Sequence, residues 1–347
     1  RAVTDPTTVG AAPGVEVSVV IPNLDGGALL RAAVDTLLAT PGPALEVVVV
    51  DNGSRDGSAD EAAARDTRVR VVRNDRNLGF APACNQGASA ATGRLLLFLN
   101  NDARITGRAL DVLVASLDDG RLWAVQPVMV REHEDGMLDS AGSQFTWTGF
   151  LRHNTSVPPG SGPVPIFAAK GACLLVRADR FRQVGGFHDP FFAYFEDSDL
   201  CWRLRLAGGD VALVPGVTVF HDTGGTTRRF FHPADIDFLS FRNRLWSILS
   251  NCEPSTLAVV LPLHVLACLS TAAVFLVRRN TASARAIARA VVWPALHPGA
   301  VRSGRRQVRA VRTRRDREVL GPDVRAPMRP RDALHLLRSY VPRWEAP

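Results

Sequence analysis

Apolar positions follow two rhythms along the first 130 residues. Residues 16–23 (EVSVVIPN), 46–53 (EVVVVDNG), 69–73 (VRVVR), 94–100 (RLLLFLN) and 123–130 (WAVQPVMV) are short, nearly continuous apolar runs that read as buried strands. Between them Leu29, Leu30, Ala33, Val34 and Leu37 recur at helical spacing, and 58–65, 81–91 and 110–117 also read as helices. Ser58 with Glu61 three residues on reads as an N-cap signal. Strands alternating with helices, and apolar on both faces, predict a mostly parallel, Rossmann-like α/β sheet flanked by helices. Ligands bind such sheets at the carboxyl ends of the strands. The polar groups fall there: Asn23, then Asp51 and Asn52, then Asn100, Asn101 and Asp102.

The pattern loosens beyond residue 130. Residues 131–168, rich in Gly and Pro, predict hairpins and a loop, 172–177 a strand and 200–207 a helix. Residues 211–214 and 217–220 read as two short strands broken by Pro215-Gly216, followed by His221 and a loop carrying Arg228 and Arg229. Residues 256–277 hold 22 positions without a charge, ending at Arg278-Arg279. About 20 apolar residues cross a bilayer, but Pro262 and His264 interrupt this run. A single crossing from a cytoplasmic domain would also place the basic tail outside, against the positive-inside rule. Two arrangements avoid this conflict. In one, 286–301 returns the chain as a hairpin; in the other, 256–277 lies in the interface or against the preceding domain. Membrane contact without a simple crossing is the expectation.

Charge sharpens that picture. The chain of 347 residues carries +7, yet residues 278–347 hold 17 Arg against 5 acids. Such a tail suits an anionic membrane surface, and its scarcity of interleaved aromatics argues against nucleic acid. The first fourteen residues are expected to be disordered and lack the apolar run of a signal peptide, which points to the cytoplasm. Five cysteines without C-x-x-C spacing argue against a zinc site or a disulfide scaffold. Lys170 is the only lysine.

Chemistry concentrates in 191–209, FFAYFEDSDLCWRLRLAGG, where Glu196, Asp197 and Asp199 stand between an aromatic cluster and a helical pattern. Carboxyls beside rings are poorly solvated and raise one another's pKa, which prepares a general base. The same acids also suit a helix N-terminus. Asp51, Asp102 and His221 follow strand ends. A diphosphate leaving group needs a divalent cation, for which Asp102 is a hard oxygen ligand and His221 a further donor. Each has a plain alternative: a turn at Asp51-Asn52-Gly53, a helix cap at Asn100–Asp102, a structural histidine at 221.

Taken in order, VSVVIPN (17–23), VVVVDNGSRDGS (47–58), NLGFAPACNQGASAATG (77–93), LLFLNNDARI (96–105), GACLLVRADRFRQVGGF (171–187), the 191–209 run and VFHDTGGTT (219–227) resemble the inverting glycosyltransferases of family 2. The rhamnosyltransferase-like branch is the nearest match. The resemblance implies a GT-A fold over 15–250, with 251–347 as a helical, membrane-leaning extension. It further implies a nucleotide-diphosphate sugar donor (dTDP-rhamnose in that branch), magnesium or manganese, and a glycan or lipid-linked acceptor at the cytoplasmic face of the membrane. By the same resemblance Asp51 reads the nucleobase, Pro22, Asn23 and Asn52 border the nucleoside, and Gly79 and Asn85 lie where the chain closes over the donor. Asn101 and Asp102 occupy the D-x-D-type position, with Asp102 and His221 on the metal, and Arg228 and Arg229 help the diphosphate leave. Asp197 is the base, while Gly171, Ala172, Glu196 and His188 stand on the acceptor side. Two departures stand out: N-N-D replaces a stricter D-x-D, and His188 replaces a common Asp. A nucleotidyltransferase would want a Gly-rich loop with Arg and Lys after the first strand, and a dehydrogenase G-x-G-x-x-G; neither is present. The alternative of another class is a non-catalytic glycan-binding or scaffolding module on a decayed transferase fold.

Overall fold

The computed structural model describes residues 14–39, 41–132, 134, 136–160, 162–222 and 231–325. The N-terminal segment, Arg228, Arg229 and the end of the basic tail lie outside the described residues. The apolar runs form β1 (Val17–Asn23), β2 (Leu45–Asp51), β3 (Val69–Arg73) and β4 (Leu95–Leu99), alternating with α1 (Gly27–Ala39), α2 (Ser58–Ala63) and α3 (Phe80–Ala90). All four strands are parallel, and the β1–β2 register sets Asn23 beside Asp51. The chain continues through β5 (Ala103–Arg104), α4 (Gly107–Ser116) and β6 (Leu122–Val130).

Between 131 and 168 the expected hairpins appear as β7 (Leu138–Ser140), β8 (Ser143–Phe145), β9 (Leu151–His153) and β10 (Val164–Pro165). There follow β11 (Cys173–Arg177), α5 (Ala178–Gln183), α6 (Glu196–Leu206) and β12 (Asp210–His221). The main sheet has the order β10-β12-β6-β11-β4-β1-β2-β3, with β11 antiparallel to both neighbours. Alternate residues of each strand serve opposite faces. Val19, Val47 and Leu97 pack with α1 and α4, while Val20, Val48 and Phe98 pack with α3 and α6. Burial on both faces is why these strands read as continuous apolar runs rather than alternating ones.

Three local expectations change. The N-cap of α2 is Gly57, in left-handed backbone, not Ser58; the Ser58 hydroxyl is buried and donates to Asp56. Pro215-Gly216 does not end a strand, because β12 runs on through a register shift between Val214 and Thr218. Helix α6 starts at Glu196, four residues before its apolar pattern, so Asp197 lies in its first turn.

The C-terminal part comprises α7 (Pro233–Asn251), α8 (Pro254–Val277), α9 (Thr281–Leu296), α10 (Pro298–Val311) and α11 (Asp316–Val319). No gap opens at residue 251. Asp199 of α6 is tied to this layer through one oxygen, Oδ1, which accepts from Ser247 Oγ at 2.7 Å and Asn251 Nδ2 at 3.0 Å, while Oδ2 pairs with Arg203 at 2.7 Å. Arg203 in turn donates to the carbonyls of Val184 and Gly186. Beyond α10 the chain returns to the sheet domain, where Arg314 reaches Asp210 at 2.7 Å. The Asp199 carboxylate is 4% exposed and holds the buried Arg203 charge neutral. Asp199→Ala should therefore cost about 3–5 kcal/mol, the loss typical of breaking a buried pair; urea denaturation of the two proteins measures it.

Candidate active site

Strand ends build one wall of a cleft of about 540 Å3. Asn23, ending β1, accepts 2.9 Å from Asn101 Nδ2 and donates to Ser54 and Ser58, so the loops after three strands are knotted together. Asn52 does the same for the loop at 77–79. Its carbonyl oxygen takes the Leu78 N–H, and its amide reaches Asn77 Oδ1 and the Gly79 carbonyl, both at 3.1 Å. Gly79 has φ +99°, and a Cβ there would lie 2.6 Å from Phe192. Only glycine fits that contact without displacing the facing loop.

The opposite wall is the aromatic run. Phe192, Tyr194 and Phe195 all have φ near +70°, a region that L side chains seldom occupy. Such strain persists only when the surroundings overdetermine it, and here the clamp is Asn243 of α7. Its Nδ2 lies 3.0 Å from the Phe191 and Ala193 carbonyls and 2.7 Å from that of Tyr194. The strained turn delivers Asp197 to the cleft. Asp197 Oδ2 accepts the Gly171 N–H at 2.8 Å, and Oδ1 accepts the Ser198 N–H at 2.6 Å. Burial pushes its pKa up, and these hydrogen bonds only partly offset the rise. Glu196 is more extreme: burial and the neighbouring Asp197 hold it well above the ordinary range, and its Oε2 has no partner.

At the floor, the pairing of β5 with β12 brings His221 against the Asp102 end of β4. His221 Nδ1 lies 2.9 Å from Asp139 Oδ2, and Nε2 lies 3.2 Å from Asp102 Oδ1. Burial depresses the imidazole pKa, but Asp102 and Asp139 outweigh it and the net shift is upward. Lys170 closes the group, with Nζ 2.6 Å from Asp139 Oδ2. Asp139, 2% exposed, would be raised by burial, yet His221 and Lys170 hold it well below the usual carboxylate range. Asp102 Oδ1 is buried without an aligned hydrogen bond, which suits a cation. Among the described residues no three His, Cys, Asp or Glu side chains are arranged to hold one metal ion, Asp139 being turned to the far side of the His221 ring, so the protein would supply two donors, with substrate oxygens and water as the rest.

Of the residues singled out from sequence, Pro22, Asn23, Asn52, Gly79, Asn101, Asp102, Gly171, Ala172, Glu196, Asp197 and His221 line this one cleft. Three do not. Asp51 lies behind the wall, receiving Ser54 N–H and pairing with Arg73 at 3.1 Å. Asn85 staples α3 to the next loop through the Phe187 backbone and Asp189. His188 packs edge-on between Phe191 and Trp246, away from the cleft. Sequence reasoning missed Asp139, Asn243 and Phe231, and it gave Lys170 no role. Asp139 and Asn243 lie in stretches without a motif; only the isolation of Lys170 as the sole lysine drew notice, and it carried no position in space.

Comparison with known proteins agrees with this geometry. Residues 18–185 match the family model described as Glycosyl transferase family 2. The N-acetylglucosaminyl-diphospho-decaprenol L-rhamnosyltransferase of Mycobacterium tuberculosis is 28% identical over 258 residues, covering 64% of this chain and 82% of that protein. The O-antigen biosynthesis protein RfbC of Myxococcus xanthus is 29% identical over 65% of this chain and 19% of its own length. Among solved structures, an S. aureus TarS fragment in complex with UDP-GlcNAc superposes with a TM-score of 0.56 at 17% identity, covering 86% of this chain and 90% of that one. The mannosyltransferase PcManGT of Pyrobaculum calidifontis, in complex with GDP-Man and Mn2+, gives 0.52 at 17% identity over 88% and 86%. At such identities these two show the fold.

The Asn243 clamp has a direct consequence. Asn243→Ala removes hydrogen bonds to a strained backbone, each worth about 0.5–1.5 kcal/mol net. Amide exchange at 191–195 should then accelerate about tenfold or more, while β1 and β4 remain protected; hydrogen exchange read by mass spectrometry checks it.

Proposed function

The chain belongs to glycosyl transferase family 2, and from that premise we propose that it moves a sugar, with inversion, from a nucleotide-diphosphate donor to a hydroxyl of a lipid-linked glycan acceptor. The observation that carries this reading is the shared cleft. The buried, elevated Asp197 and, at the floor, the Asp102–His221 pair open onto the same space. A single displacement needs that arrangement: a base for the incoming hydroxyl on one side, and stabilisation of the departing diphosphate on the other.

Each residue then has a role. Asn23, Asn52 and Asn101 form a hydrogen-bonded rim for the nucleoside, with Asp51 behind it able to reach a base edge only if the Ser54 turn yields. Asp197 takes the acceptor proton, oriented by the Gly171 and Ser198 amides. Asp102 and His221 would hold magnesium or manganese, whose charge offsets that gathering on the diphosphate. Asp139 fixes the His221 ring through Nδ1 and so turns Nε2 toward the cleft. Lys170 adds a cation at the same end, where Arg228 and Arg229 are proposed to assist. Aromatic rings at Tyr194, Phe195 and Phe231 offer a face for sugar or prenyl groups on the acceptor side.

The M. tuberculosis relative, by name an N-acetylglucosaminyl-diphospho-decaprenol L-rhamnosyltransferase, supports rhamnose as the sugar and a lipid-linked acceptor; a dTDP donor and work at the cytoplasmic face of the membrane on cell-surface polysaccharide complete the proposal. A non-catalytic module is disfavoured because an unneeded raised carboxyl and a buried Asp139–His221 pair would be costly to keep.

Three outcomes test the reading. Asp197→Asn should keep nucleotide affinity and lose about 10²–10⁴-fold in turnover, the usual worth of a general base. The wild-type rate should fall as pH drops through the Asp197 pKa; because burial raises that pKa, the acid limb should lie above the about 3.9 of a free Asp, and stopped-time transfer assays locate it. Asp102→Ala should remove most of the manganese-dependent part of dTDP or UDP affinity, as calorimetric titration with and without manganese would show.

A further inference from the structure

Helix α8 has two unlike sides. Val260, His264, Cys268 and Phe275 are buried, and His264 Nδ1 donates to the Thr148 carbonyl at 2.7 Å, in the hairpin joining β8 to β9. The outward side carries Val259, Leu263, Leu266 and Leu269, spaced by three or four residues, and Leu276 and Val277 two turns further on, all exposed and on one face of the helix as an apolar stripe; Leu266 is 63% and Val277 84% exposed. A soluble surface seldom leaves such a row uncovered. The helix is long and apolar enough to cross a bilayer, yet a third of it is already buried, through the His264 bond to the β8–β9 hairpin and apolar packing against α7 and α9. A crossing would have to strip that packing or drag the domain into hydrocarbon.

The charge around the stripe says what covers it. From Pro254 to Arg315 the sequence has eleven arginines and no acid. Arg278 and Arg279 follow Val277 directly and are exposed. Their place in the fold matters more. Asp237 of α7 is hydrogen-bonded by Ser283, two residues into α9, so the α8–α9 turn sits beside the start of α7. Ile236, the neighbour of Asp237, lines the mouth of the cleft.

We propose that α8 lies in the plane of an anionic bilayer, apolar stripe down, with the Leu276–Arg279 end at the headgroups next to the acceptor mouth of the cleft. The helix is thus a monotopic docking surface, not a span. This rests on the lipid-linked acceptor reading above and adds how the cleft meets its substrate: the prenyl tail stays in the leaflet while the sugar rises past Ile236 and Phe231. The apolar stripe supplies burial, and the arginines supply attraction to anionic phosphate.

The test uses the full chain and phosphatidylglycerol–phosphatidylcholine vesicles in flotation. Wild type should float with anionic vesicles, be released by high salt or alkaline carbonate, and bind phosphatidylcholine alone at least tenfold less. Leu266→Asp combined with Leu276→Asp and Val277→Asp should weaken flotation at least tenfold, and Arg278→Ala with Arg279→Ala about fivefold for each arginine removed. In both variants the melting temperature and its rise with dTDP and manganese should be unchanged, showing that fold and nucleotide site survive. Loss of the dTDP response in wild type would instead sink the transferase reading and leave the docking result standing. The docking proposal is overturned if wild type fails to float, if it resists carbonate with α8 protected from protease as a span would be, or if the aspartate variant floats normally but shifts from dimer to monomer in sedimentation, which would make the stripe a contact between copies.

Discussion

Three carboxyls within one helical turn meet three different fates, and the working of the cleft depends on that division. Glu196, Asp197 and Asp199 are all deprived of water, which by itself would raise every one of their pKa values. Asp199 escapes because Arg203, His188, Ser247 and Asn251 surround it, and it remains charged. Asp197 has amides but no cationic partner in contact, so it stays basic and available. Glu196 has only its own backbone amide, its Oε2 is without a partner, and burial drives it toward the neutral acid. Were all three ionised, mutual repulsion at the α6 start would be severe; with one compensated, one driven toward neutrality and one poised, the turn is stable and reactive at once.

The division is enforced from outside the sheet domain. Helix α7 supplies Ser247 and Asn251 to Asp199 and Asn243 to the strained carbonyls ahead of Glu196. The C-terminal helices are therefore part of the machinery that shapes the cleft. Cutting the chain at 250 would remove Asn251, one of the groups that keeps Asp199 charged.

The parallel half of the sheet was legible because burial on both faces writes itself as unbroken Val and Leu runs, and because strand ends are marked by Asn23, Asp51 and Asn100. The cleft was legible where chemistry and turn coincide, at Asp102, Asp197 and His221. What escaped has a common physical cause. Asp139 and Lys170 meet His221 only through the pairing of distant strands, and Asn243 acts through backbone carbonyls that leave no trace in residue type. Conversely, Asn85 and His188 occupy positions of a recognised pattern, but their side chains turned to fastening loops and filling space. The N-terminus of α6 was placed late because it is stabilised by tertiary contacts while its local backbone at Phe195 is left-handed.

The close approach of Gly79 to Phe192 carries an evolutionary corollary. On the proposed reading Gly79 borders the nucleotide side and Phe192 belongs to the turn that delivers Asp197 to the acceptor, and there is no slack between them. A lineage that exchanges one sugar donor for another by remodelling the first loop must pass through compatible changes in the second. Drift at these two positions should therefore be correlated, and donor and acceptor preference should be inherited as a linked pair.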